Sequence, residues 1–549
     1  MHTHKILNFS SQNRKLQDLL VKNLKIGRLL AQVLINRKIT GLEEARSFLF
    51  SGLEGMHDPF LFGDMGIAVK RIKKAAFSGE KVLIFGDYDV DGITSAALLK
   101  TLLDKMGINA DIYIPDRIKE GYGLTGNISE IAKGMGIRLL ITADCGISNS
   151  FEILELKNSG IDTIITDHHQ PQGDNVPQAV AIINPKTNGC KYPYRELSGV
   201  GVAFKLCQAL LGNASAEGLD LVALGTIADV VPLTGENRII AREGLKILQG
   251  TRRPGLKALI EKARIKNRKF TSTFVSFILA PRLNAAGRMD SAKTALDLLL
   301  SEKAGEASEI ACVLENHNRS RQRVENKILE EAMAVIEKDV NFKEHKVIVV
   351  ARENWHHGVL GIVASKLADR FYRPAIVICL EEGLCRGSGR SIKNFHLFSA
   401  LKECKNFLNT FGGHAHAAGL TIAQESIKGF RESINRLACD QLKFDDLLPS
   451  MDIDLEVSLS EITAKSVAEL EMLEPFGAGN PEPMFYTANL KLKGEPRDLA
   501  RETIKFWVND GITTLEAIGF GMSGLKVSLK AAKEFSLIYT PRLDKWMDE

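Results

Sequence analysis

Three carboxylates alternate along Gly86-Asp-Tyr-Asp-Val-Asp-Gly92, directly after the apolar run Lys81-Val-Leu-Ile-Phe85. Asp87, Asp89 and Asp91 offer the oxygen ligands that hard divalent cations prefer. An EF-hand calcium loop is excluded, because no Glu closes a twelve-residue loop here. Taken alone, the stretch is equally compatible with a solvated acidic turn or with a cluster that caps the N-terminus of a helix.

Further acids and two histidines follow other apolar runs in the same way. They are Asp144 after Ile141-Thr-Ala143, then Asp167, His168 and His169 after Ile165-Thr166, and Asp229 after a helical run that begins at Leu219. Acids gathered at one edge of a sheet repel one another unless cations neutralise them. Carboxylates with one or two imidazoles suit Mg²⁺ or Mn²⁺ better than Zn²⁺. Two such ions about 3.5–4 Å apart would clamp a phosphoryl group and generate a hydroxide nucleophile, so that no Ser or Cys nucleophile is needed.

The elements that must position these residues form a predicted parallel sheet. Apolar runs alternate with stretches of helical spacing such as 94–106, which predicts an α/β layer covered by helices on both faces. Ligands of such sheets bind beyond the carboxyl ends of the strands, where the acids lie. The predicted strands are 81–85, 110–115, 138–142, 162–166 and 179–183.

Downstream, the pattern predicts a connecting helix, a second α/β domain and a small β domain. The stretch 319–338 is charged and lacks Pro and Gly, which is typical of a long helix. Apolar strands at 346–351 and 374–380 then flank a helix at 361–371. After the loop-rich stretch 474–483, short strands are predicted at 490–492, 503–508, 514–520 and 535–539.

Bulk composition narrows the class of protein only slightly. A formal net charge of +4 over 549 residues permits an anionic partner without requiring one. The eight cysteines form no Cys-x-x-Cys pair, which argues against a zinc cluster and suits a reducing compartment. We see no signal peptide and no apolar segment long enough to span a bilayer, so we expect a cytoplasmic protein.

The ordered motifs resemble those of a known enzyme superfamily. Asp-Tyr-Asp-Val-Asp-Gly, Ala-Asp-Cys-Gly, Asp-His-His and Ala-Asp-Val-Val-Pro look like the four motifs of the DHH phosphoesterases. Three later stretches resemble the RecJ branch of that superfamily, so that the likeness covers about residues 40–540. These stretches are Ser198-Gly-Val-Gly-Val-Ala-Phe204, Pro281-Arg-Leu-Asn-Ala-Ala-Gly-Arg288 and Phe411-Gly-Gly-His-Ala-His-Ala-Ala-Gly419.

The resemblance implies a domain organisation and a function. The fold would be α/β, with a helical lead-in, a parallel-sheet DHH domain, a connecting helix, a second α/β DHHA1 domain and a C-terminal OB-like β-barrel. The respective ranges are 1–60, 61–300, 301–342, 343–445 and 446–549. The activity would be 5′→3′ hydrolysis of single-stranded DNA to 5′-mononucleotides in DNA repair and recombination. Because chains of this branch continue past the strand at 535–539, we expect the barrel to be completed differently or to be partly open.

The resemblance also assigns roles around two divalent ions, Mn²⁺ or Mg²⁺. Asp144 would bridge both ions, and Asp89 would bind one of them together with Asp144. The second ion would be held by Asp91, His168 and Asp229. His169 would lie close to the scissile phosphate, with Asp167 orienting an imidazole. A histidine of the pyrophosphatase branch is replaced by Phe85, so Asp87 or water would fill that ligand position.

A further set of residues would bind the DNA strand. Arg117 would hold a terminal phosphate and Tyr122 would stack on a base. The others would contact phosphates, namely Ser388 and Arg390 in Arg386-Gly-Ser-Gly-Arg390, and Asn284, Arg288, Gly413 and His414 near the metals. Each of these is, without the resemblance, an ordinary surface arginine or turn glycine.

Several alternatives stay open at this stage. The run 252–269 carries eight basic residues against Glu261 and reads as a solvated helix face or as a phosphate track. His356 and His357, beside Trp355, are expected to be structural, because no acids lie near them in sequence. Other functions are a short-oligonucleotide or cyclic-dinucleotide phosphodiesterase and a non-catalytic strand-binding module. We expect a monomer without membrane contact, with a helicase or a single-strand-binding protein as a possible partner.

Overall fold

The structure is a computed structural model that describes residues 5–117, 119–171, 173, 176–212, 216–264 and 269–543. The chain divides into two compact units. The larger unit consists mainly of Met56–Val231 and Glu236–Pro449, and the smaller one contains Ile6–Gly55, Pro232–Gly235 and the residues from Ser450 on. Among the described residues, none of the helices combines the length and the apolar character needed to cross a bilayer.

The larger unit begins with the predicted parallel sheet, which is confirmed. All five strands run parallel, and in spatial order they are Ala110–Tyr113, Lys81–Gly86, Ile137–Ala143, Asp162–Thr166 and Ala181–Ile183. The central strands are buried along almost their whole length, as expected for a sheet with helices on both faces. The helix Val90–Lys105 packs against this sheet and is itself largely buried.

Helices of the first domain cover the sheet and lead to the connecting helix. The structure extends that helix to Ala304–Asp339, longer at its N-terminal end than the predicted 319–338. A π-helical turn, Val275–Leu279, joins Ser272–Phe274 to Ala280–Met289. The remaining helices are Met65–Ser78, Ile128–Gly134, Ser150–Asn158, Gly199–Leu211, Leu219–Ala228, Gly235–Gln249, Pro254–Lys262 and Lys293–Leu300.

The second α/β domain of this unit has a mixed five-stranded sheet. Its strands Ile348–Glu353 and Ala375–Leu380 run parallel, with the helix His357–Phe371 between them in sequence. Three further strands extend the sheet with antiparallel pairing, in the order Leu384–Arg390, Ala417–Ala423 and Thr410–Gly413. The helices Leu397–Glu403 and Ile427–Gln441 pack on the other face, around Phe430 and Leu401.

The smaller unit combines both ends of the chain, which the predicted lead-in at 1–60 did not anticipate. Strand Ile6–Phe9 pairs in parallel with Ser450–Ile453. The buried residues of the N-terminal helices share one core with Leu473 and Phe485. A division by sequence position misses this arrangement, because strand pairing joins segments more than 440 residues apart. The helices are Arg14–Leu24, Arg28–Asn36, Leu42–Phe50, Ala464–Leu470 and Lys526–Ala531.

A curled half-barrel forms the rest of the smaller unit. The long strand Phe485–Leu499 pairs with Thr503–Asn509 on one side and with Phe535–Tyr539 on the other. Leu455–Glu456 and Thr514–Gly519 complete the sheet. Within the described part of the chain, no pairing joins Thr514–Gly519 to Phe535–Tyr539.

Candidate active site

Three acids lie side by side because backbone pairing continues one residue beyond three neighbouring strands. The N–H of Asp87 donates to Ala143 O at 3.2 Å, and the N–H of Asp144 donates to Thr166 O at 3.0 Å. The N–H of Asp167 likewise donates to Ile183 O at 3.1 Å. These bonds hold the three carboxylates at one edge of the sheet, as the sequence predicted.

Asp89 and Asp91 are fixed by the N-termini of two helices. The Asp89 carboxylate caps Val90–Lys105 by accepting from the N–H groups of Asp91 and Gly92, at 2.9 and 3.1 Å. Asp91 is buried and accepts from the N–H groups of Gly199 and Val200, at 2.7 and 2.8 Å. Helix N-termini stabilise anions, and these hydrogen bonds hold both side chains in position. This role of Gly199 and Val200 was not predicted from the sequence, although Ser198 is a residue type that commonly precedes the first turn of a helix.

His168 points its second ring nitrogen into the acid cluster. Its Nδ1 lies 3.0 Å from the carbonyl oxygen of Leu197, which can only accept, so Nδ1 carries the proton. The unprotonated Nε2 therefore faces the carboxylates, 3.3 Å from Asp144 Oδ1 and 3.5 Å from Asp229 Oδ2. This is the tautomer that a metal-binding histidine requires.

The cluster contains four buried ligand atoms without a hydrogen-bond partner among the described residues, namely Asp87 Oδ1, Asp144 Oδ1, His168 Nε2 and Asp229 Oδ2. All four are acceptors, and an unpaired buried acceptor is costly. The ligand atoms of the site form three overlapping sets, and within each set all atoms lie within 4.8 Å of one another. The sets are Asp87, Asp89 and Asp144, then Asp144, His168 and His169, and finally Asp91, His168 and Asp229. Divalent cations fit these residues, because a cation satisfies several acceptors at once. We call the six residues Asp87, Asp89, Asp91, Asp144, His168 and Asp229 the metal cage.

The electrostatics of the metal cage favour a bound cation. Burial, followed by the neighbouring Asp89, raises the pKa of Asp91 to about 7. Burial and the other carboxylates raise the pKa values of Asp144 and Asp229 well above the usual range. Burial lowers the pKa of His168 to about 3, so its imidazole is neutral at physiological pH. A divalent cation would favour the charged carboxylates and leave the imidazole free to bind it.

Close packing around Asp144 and Asp87 leaves no space for side chains at two glycines. Asp144 itself has a left-handed backbone with φ of 67°, which Asp tolerates better than most residues. A Cβ at Gly199 would lie 2.2 Å from Asp144 Oδ1, and one at Gly92 would lie 2.4 Å from Asp87 O. Gly199 therefore lets the helix backbone approach the Asp144 carboxylate directly, and Gly92 lets the helix Val90–Lys105 approach the backbone of Asp87.

Phe85, which stands where a relative branch has histidine, packs in the core. It is buried and stacks on Tyr113 with ring centroids 5.4 Å apart. Asp87, two residues on, is close to both Asp89 and Asp144 and is thus positioned to supply the ligand that Phe85 cannot. Burial and the neighbouring Asp89 also raise the pKa of Asp87.

His169 lies beside the metal cage, between Asp167 and Tyr122. Its Nδ1 is 2.8 Å from Asp167 Oδ1 and 2.9 Å from the hydroxyl of Tyr122. Asp167 also accepts from the backbone N–H groups of His168, His169 and Ile147. Hydrogen bonds from His169 lower the pKa of Asp167 despite its burial, and Asp167 raises the pKa of His169. Asp167 is thus a fixed anion that orients an imidazole.

Arg288 is close enough to three other arginines and to Asp89 for their charges to shift its pKa. Burial lowers the pKa of Arg288 to about 9, and the charges of Arg117, Arg321 and Arg390 contribute to that shift. Arg117 lies over the ring of Tyr88, 4.8 Å from its centroid. Arg321 is paired with Glu325 in its own helix, so the anion-binding surface consists of Arg117, Arg288 and Arg390. Sequence analysis missed Arg321, because its position in the connecting helix carried no motif.

Ser388 and Arg390 belong to the same region, on the strand Leu384–Arg390. Arg390 Nη1 lies 3.3 Å from Ser388 Oγ, and both side chains lie close to Gly361. A Cβ at Gly361 would be 2.9 Å from Arg390 Nη2. The absence of a side chain there leaves both polar groups room beside the helix His357–Phe371.

The other predicted strand-binding residues lie nearby. Asn284 precedes Arg288 by one turn on the helix Ala280–Met289 and is half-buried. Gly413 has φ of 139°, and a Cβ there would lie 2.3 Å from Ala417 O. His414 follows Gly413. Its partial burial lowers its pKa, and so do the neighbouring His416, Arg390 and His169. The pairing of Thr410–Gly413 with Ala417–Ala423 thus brings His414 toward Arg390 and toward His169, the second histidine of the Asp-His-His motif.

The remaining candidates have local roles. His356 caps the helix His357–Phe371 by accepting from Gly358 N–H at 3.1 Å, which supports the structural expectation. His357 forms an ion pair with Glu381, with the Cys379 thiol within 4.8 Å. Sequence analysis missed Glu381, which parallel strand pairing brings from 24 residues away. Glu381 is exposed, so solvent can satisfy this group without a metal. Of the basic run 252–269, residues 265–268 lie outside the described residues, and Arg253 pairs with Asp220 at 3.2 Å.

Three known domain families match the chain. They are the DHH family N-terminal domain at residues 81–226, the DHHA1 domain at 344–439 and the RecJ OB domain at 453–549. These matches confirm the predicted fold class and the suspected family.

Characterised proteins and solved structures agree with this. The single-stranded-DNA-specific exonuclease RecJ of Bacillus subtilis (strain 168) is 42% identical over 530 residues, which are 96% of this chain and 67% of that protein. The protein of the same name from Escherichia coli (strain K12) is 37% identical over 76% of each chain. The crystal structure of RecJ in complex with Mn²⁺ from Thermus thermophilus superposes with a TM-score of 0.84 at 27% identity, covering 99% of this chain and 78% of that one. On this similarity, the chain belongs to the RecJ family of single-stranded-DNA-specific exonucleases.

Proposed function

We propose that this protein is a metal-dependent exonuclease that hydrolyses single-stranded DNA to 5′-mononucleotides in the 5′→3′ direction. The observation that carries the proposal is the convergence of unpartnered, buried ligand atoms at the sheet edge, directly beside a cluster of arginines. A cage for cations next to a surface for phosphates is the minimum that phosphodiester hydrolysis requires. The names of the family members support single-stranded DNA as the substrate.

The metal cage would hold two divalent ions, Mn²⁺ or Mg²⁺. Asp144 would be shared between the ions, with Asp87 and Asp89 at one of them and with Asp91, His168 and Asp229 at the other. Bound ions would neutralise charge on the phosphodiester and lower the pKa of a coordinated water. Asp87 would supply the ligand for which Phe85 has no donor atom, and its unpartnered Oδ1 supports that role.

The side chains around the cage would bind and orient the strand. His169, held by Asp167, would stabilise negative charge on the scissile phosphate. Arg117 would bind the terminal 5′-phosphate, and its packing on Tyr88 supports a fixed position for the guanidinium group. The remaining residues would contact phosphates along the strand, namely Asn284, Arg288, Ser388, Arg390, Gly413 and His414.

Selectivity for single strands would follow if the loop with Arg117 and Tyr122 and the second α/β domain leave a groove too narrow for a duplex. A blunt duplex should then be degraded far more slowly than the same strand alone. The half-barrel of the smaller unit would hold the strand upstream of the cut, as OB-folds do elsewhere. A helicase or single-strand-binding partner, a monomeric state and a cytoplasmic location stay predictions.

Digestion of single strands labelled separately at each end tests the proposal. We expect Mn²⁺ or Mg²⁺ to release the 5′ label first, as a mononucleotide, and a chelator to stop the release. The Asp144→Asn variant serves as the control for contaminating nucleases. Release of the 3′ label first would contradict the polarity, and preference for dinucleotides in a length series would favour a short-oligonucleotide phosphodiesterase.

A further inference from the structure

The hydroxyl of Tyr122 lies against the second histidine of the Asp-His-His motif. It is 2.9 Å from His169 Nδ1 and 3.5 Å from the backbone oxygen of Asp144. The two rings meet edge to face, with centroids 5.4 Å apart. Tyr122 as a whole is nevertheless 49% exposed, so the residue bonds within the site through its hydroxyl and is also accessible to solvent. Stacking on a base, the role expected from sequence, uses only the exposed ring.

The available protons determine what this hydroxyl does. His169 Nδ1 carries one hydrogen, which it shares with the Asp167 carboxylate at 2.8 Å. The hydroxyl of Tyr122 can accept the same N–H as a second acceptor and donate its own hydrogen toward Asp144 O. Nδ1 is thus held from two sides, and Nε2 on the far edge of the ring is left to face a substrate.

The two restraints on His169 come from different elements. Asp167 belongs to the edge of the parallel sheet and is fixed by three backbone N–H groups. Tyr122 belongs to the loop between the strand Ala110–Tyr113 and the helix Ile128–Gly134, which also carries Arg117. The position of the imidazole therefore depends on the loop that would grip the end of the strand.

We propose that Tyr122 is a positioning residue whose hydroxyl sets the imidazole of His169, while its exposed ring receives the terminal base. This inference rests on the proposed function, because it assumes that His169 acts on the bound phosphate. A correctly seated strand end would thereby also secure the group that stabilises charge during cleavage. Tyr122 would serve both binding and turnover, through different parts of one side chain.

The Tyr122→Phe variant separates the two parts, because it keeps the ring and removes the hydroxyl. We expect kcat on single-stranded DNA to fall roughly three- to tenfold, the factor that corresponds to one hydrogen bond. KM should stay within about twofold, since stacking is retained. Tyr122→Leu should lower kcat similarly and also raise KM. Tyr192→Phe, which removes a hydroxyl that bonds Glu236 in the first domain, is the matched control and should keep the wild-type kcat and KM.

A substrate without bases provides a second readout. Bis(p-nitrophenyl) phosphate offers no nucleobase to stack, so its kcat should fall by the same factor in Tyr122→Phe. The additional loss should vanish in a His169→Ala background, because the hydroxyl acts through that ring. The rise in Tm that Mn²⁺ induces should be the same in Tyr122→Phe and wild type, since the metal cage is unchanged.

Unchanged kcat in Tyr122→Phe would overturn the inference and leave Tyr122 as a stacking residue only. An equal loss in the presence and absence of His169, or a smaller Mn²⁺-induced rise in Tm, would also overturn it, because the hydroxyl would then act through Asp144. Failure of the proposed function looks different. Wild-type protein would hydrolyse bis(p-nitrophenyl) phosphate and spare DNA, while the Tyr122 comparison on the small substrate would still give its answer.

Discussion

At the scale of single residues, mutual repulsion makes the metal-free cage sensitive to pH. Burial and neighbouring carboxylates raise the pKa of Asp91 from 3.8 to about 7 and raise those of Asp87, Asp144 and Asp229 as well. The unfolded chain loses these protons at a lower pH than the folded chain does, so the contribution of all four groups to stability is full below about pH 4. The part that belongs to Asp91 is lost as the pH rises through about 7. His168 has the opposite effect, because its lowered pKa destabilises the fold below about pH 6.5. The four carboxylates outnumber it, so their effect on stability should prevail.

We therefore expect the Tm of the metal-free protein to fall between about pH 5 and about pH 8. The fall should be smaller in Asp91→Asn, in which one repelling charge is absent. Saturating Mn²⁺ should raise Tm more at the higher pH, because the ligands must be deprotonated to bind it. Differential scanning calorimetry at both pH values, with and without Mn²⁺, measures all three. A Mn²⁺ effect that grows toward acid pH would contradict the cage.

Asp167 is predicted to act on the metal and on turnover without binding a metal itself. Its carboxylate accepts from three backbone N–H groups and from His169 Nδ1. An amide at this position turns one acceptor into a donor, so Asp167→Asn must break at least one of these bonds. We expect an activity about 10- to 100-fold lower. Steady-state kinetics over a range of Mn²⁺ concentrations checks this, and wild-type kcat in Asp167→Asn would refute it.

At the scale of elements, the site depends on how closely two helices approach the strand ends. The first residue of Gly199–Leu211 donates its N–H to Asp91 and lies where a Cβ would be 2.2 Å from Asp144 Oδ1. Gly199→Ala must displace either the helix or the carboxylate. We expect Mn²⁺ affinity to fall about 10- to 100-fold, the range seen when residues that orient a metal ligand are changed.

Gly305→Ala is the matched control for this change. Gly305 also lies in the first turn of a helix, Ala304–Asp339, but has open space around its Cα. It should keep wild-type Mn²⁺ affinity and gain up to about 1 kcal/mol of stability, since alanine favours helix. Isothermal titration of both variants decides the matter. Equal Mn²⁺ affinity in the two variants would show that the close approach is unimportant.

The strand ends of the site could be predicted from the sequence, whereas the packing of its helices could not. Parallel strands end at one edge, so acids after Phe85, Ala143 and Thr166 could be placed together before any coordinates were known. The N–H groups of Gly199 and Val200 could not, because their approach to Asp91 depends on how two helices pack. For the same reason Arg321, from a helix without a motif, was not foreseen beside Arg288.

At the scale of the whole molecule, the two ends of the chain fold together. The helices within Ile6–Gly55 share a core with residues after Ser450, including Leu473 and Phe485. Local patterns predicted the N-terminal helices correctly, but no local signal shows that Ile6–Phe9 pairs with Ser450–Ile453. Pairing between distant segments is decided by the complete fold. The predicted domain boundaries stay predictions.

This arrangement changes how the smaller unit should be removed. Deleting 450–549 alone would expose the buried side chains of Leu20, Leu30 and Leu34, and we expect that protein to aggregate. A chain of residues 56–449 lacks both halves of that core and should stay soluble, hydrolyse very short strands and lose processivity on long ones. Light scattering and product-length analysis test this. A well-behaved 1–449 protein would contradict the shared core.

If the six side chains of the metal cage bind divalent ions together, replacing Asp144, which both ions would share, by Asn should disable the site. Mn²⁺-dependent hydrolysis of single-stranded DNA and the Mn²⁺-induced rise in Tm should be measured together with DNA binding. We expect hydrolysis to fall by more than about a hundredfold, because even residues that only orient a ligand cost about 10- to 100-fold. The rise in Tm should largely disappear, while strand binding through the arginines persists. Wild-type hydrolysis and an undiminished Mn²⁺ response in Asp144→Asn would show that the six residues do not bind the ions together.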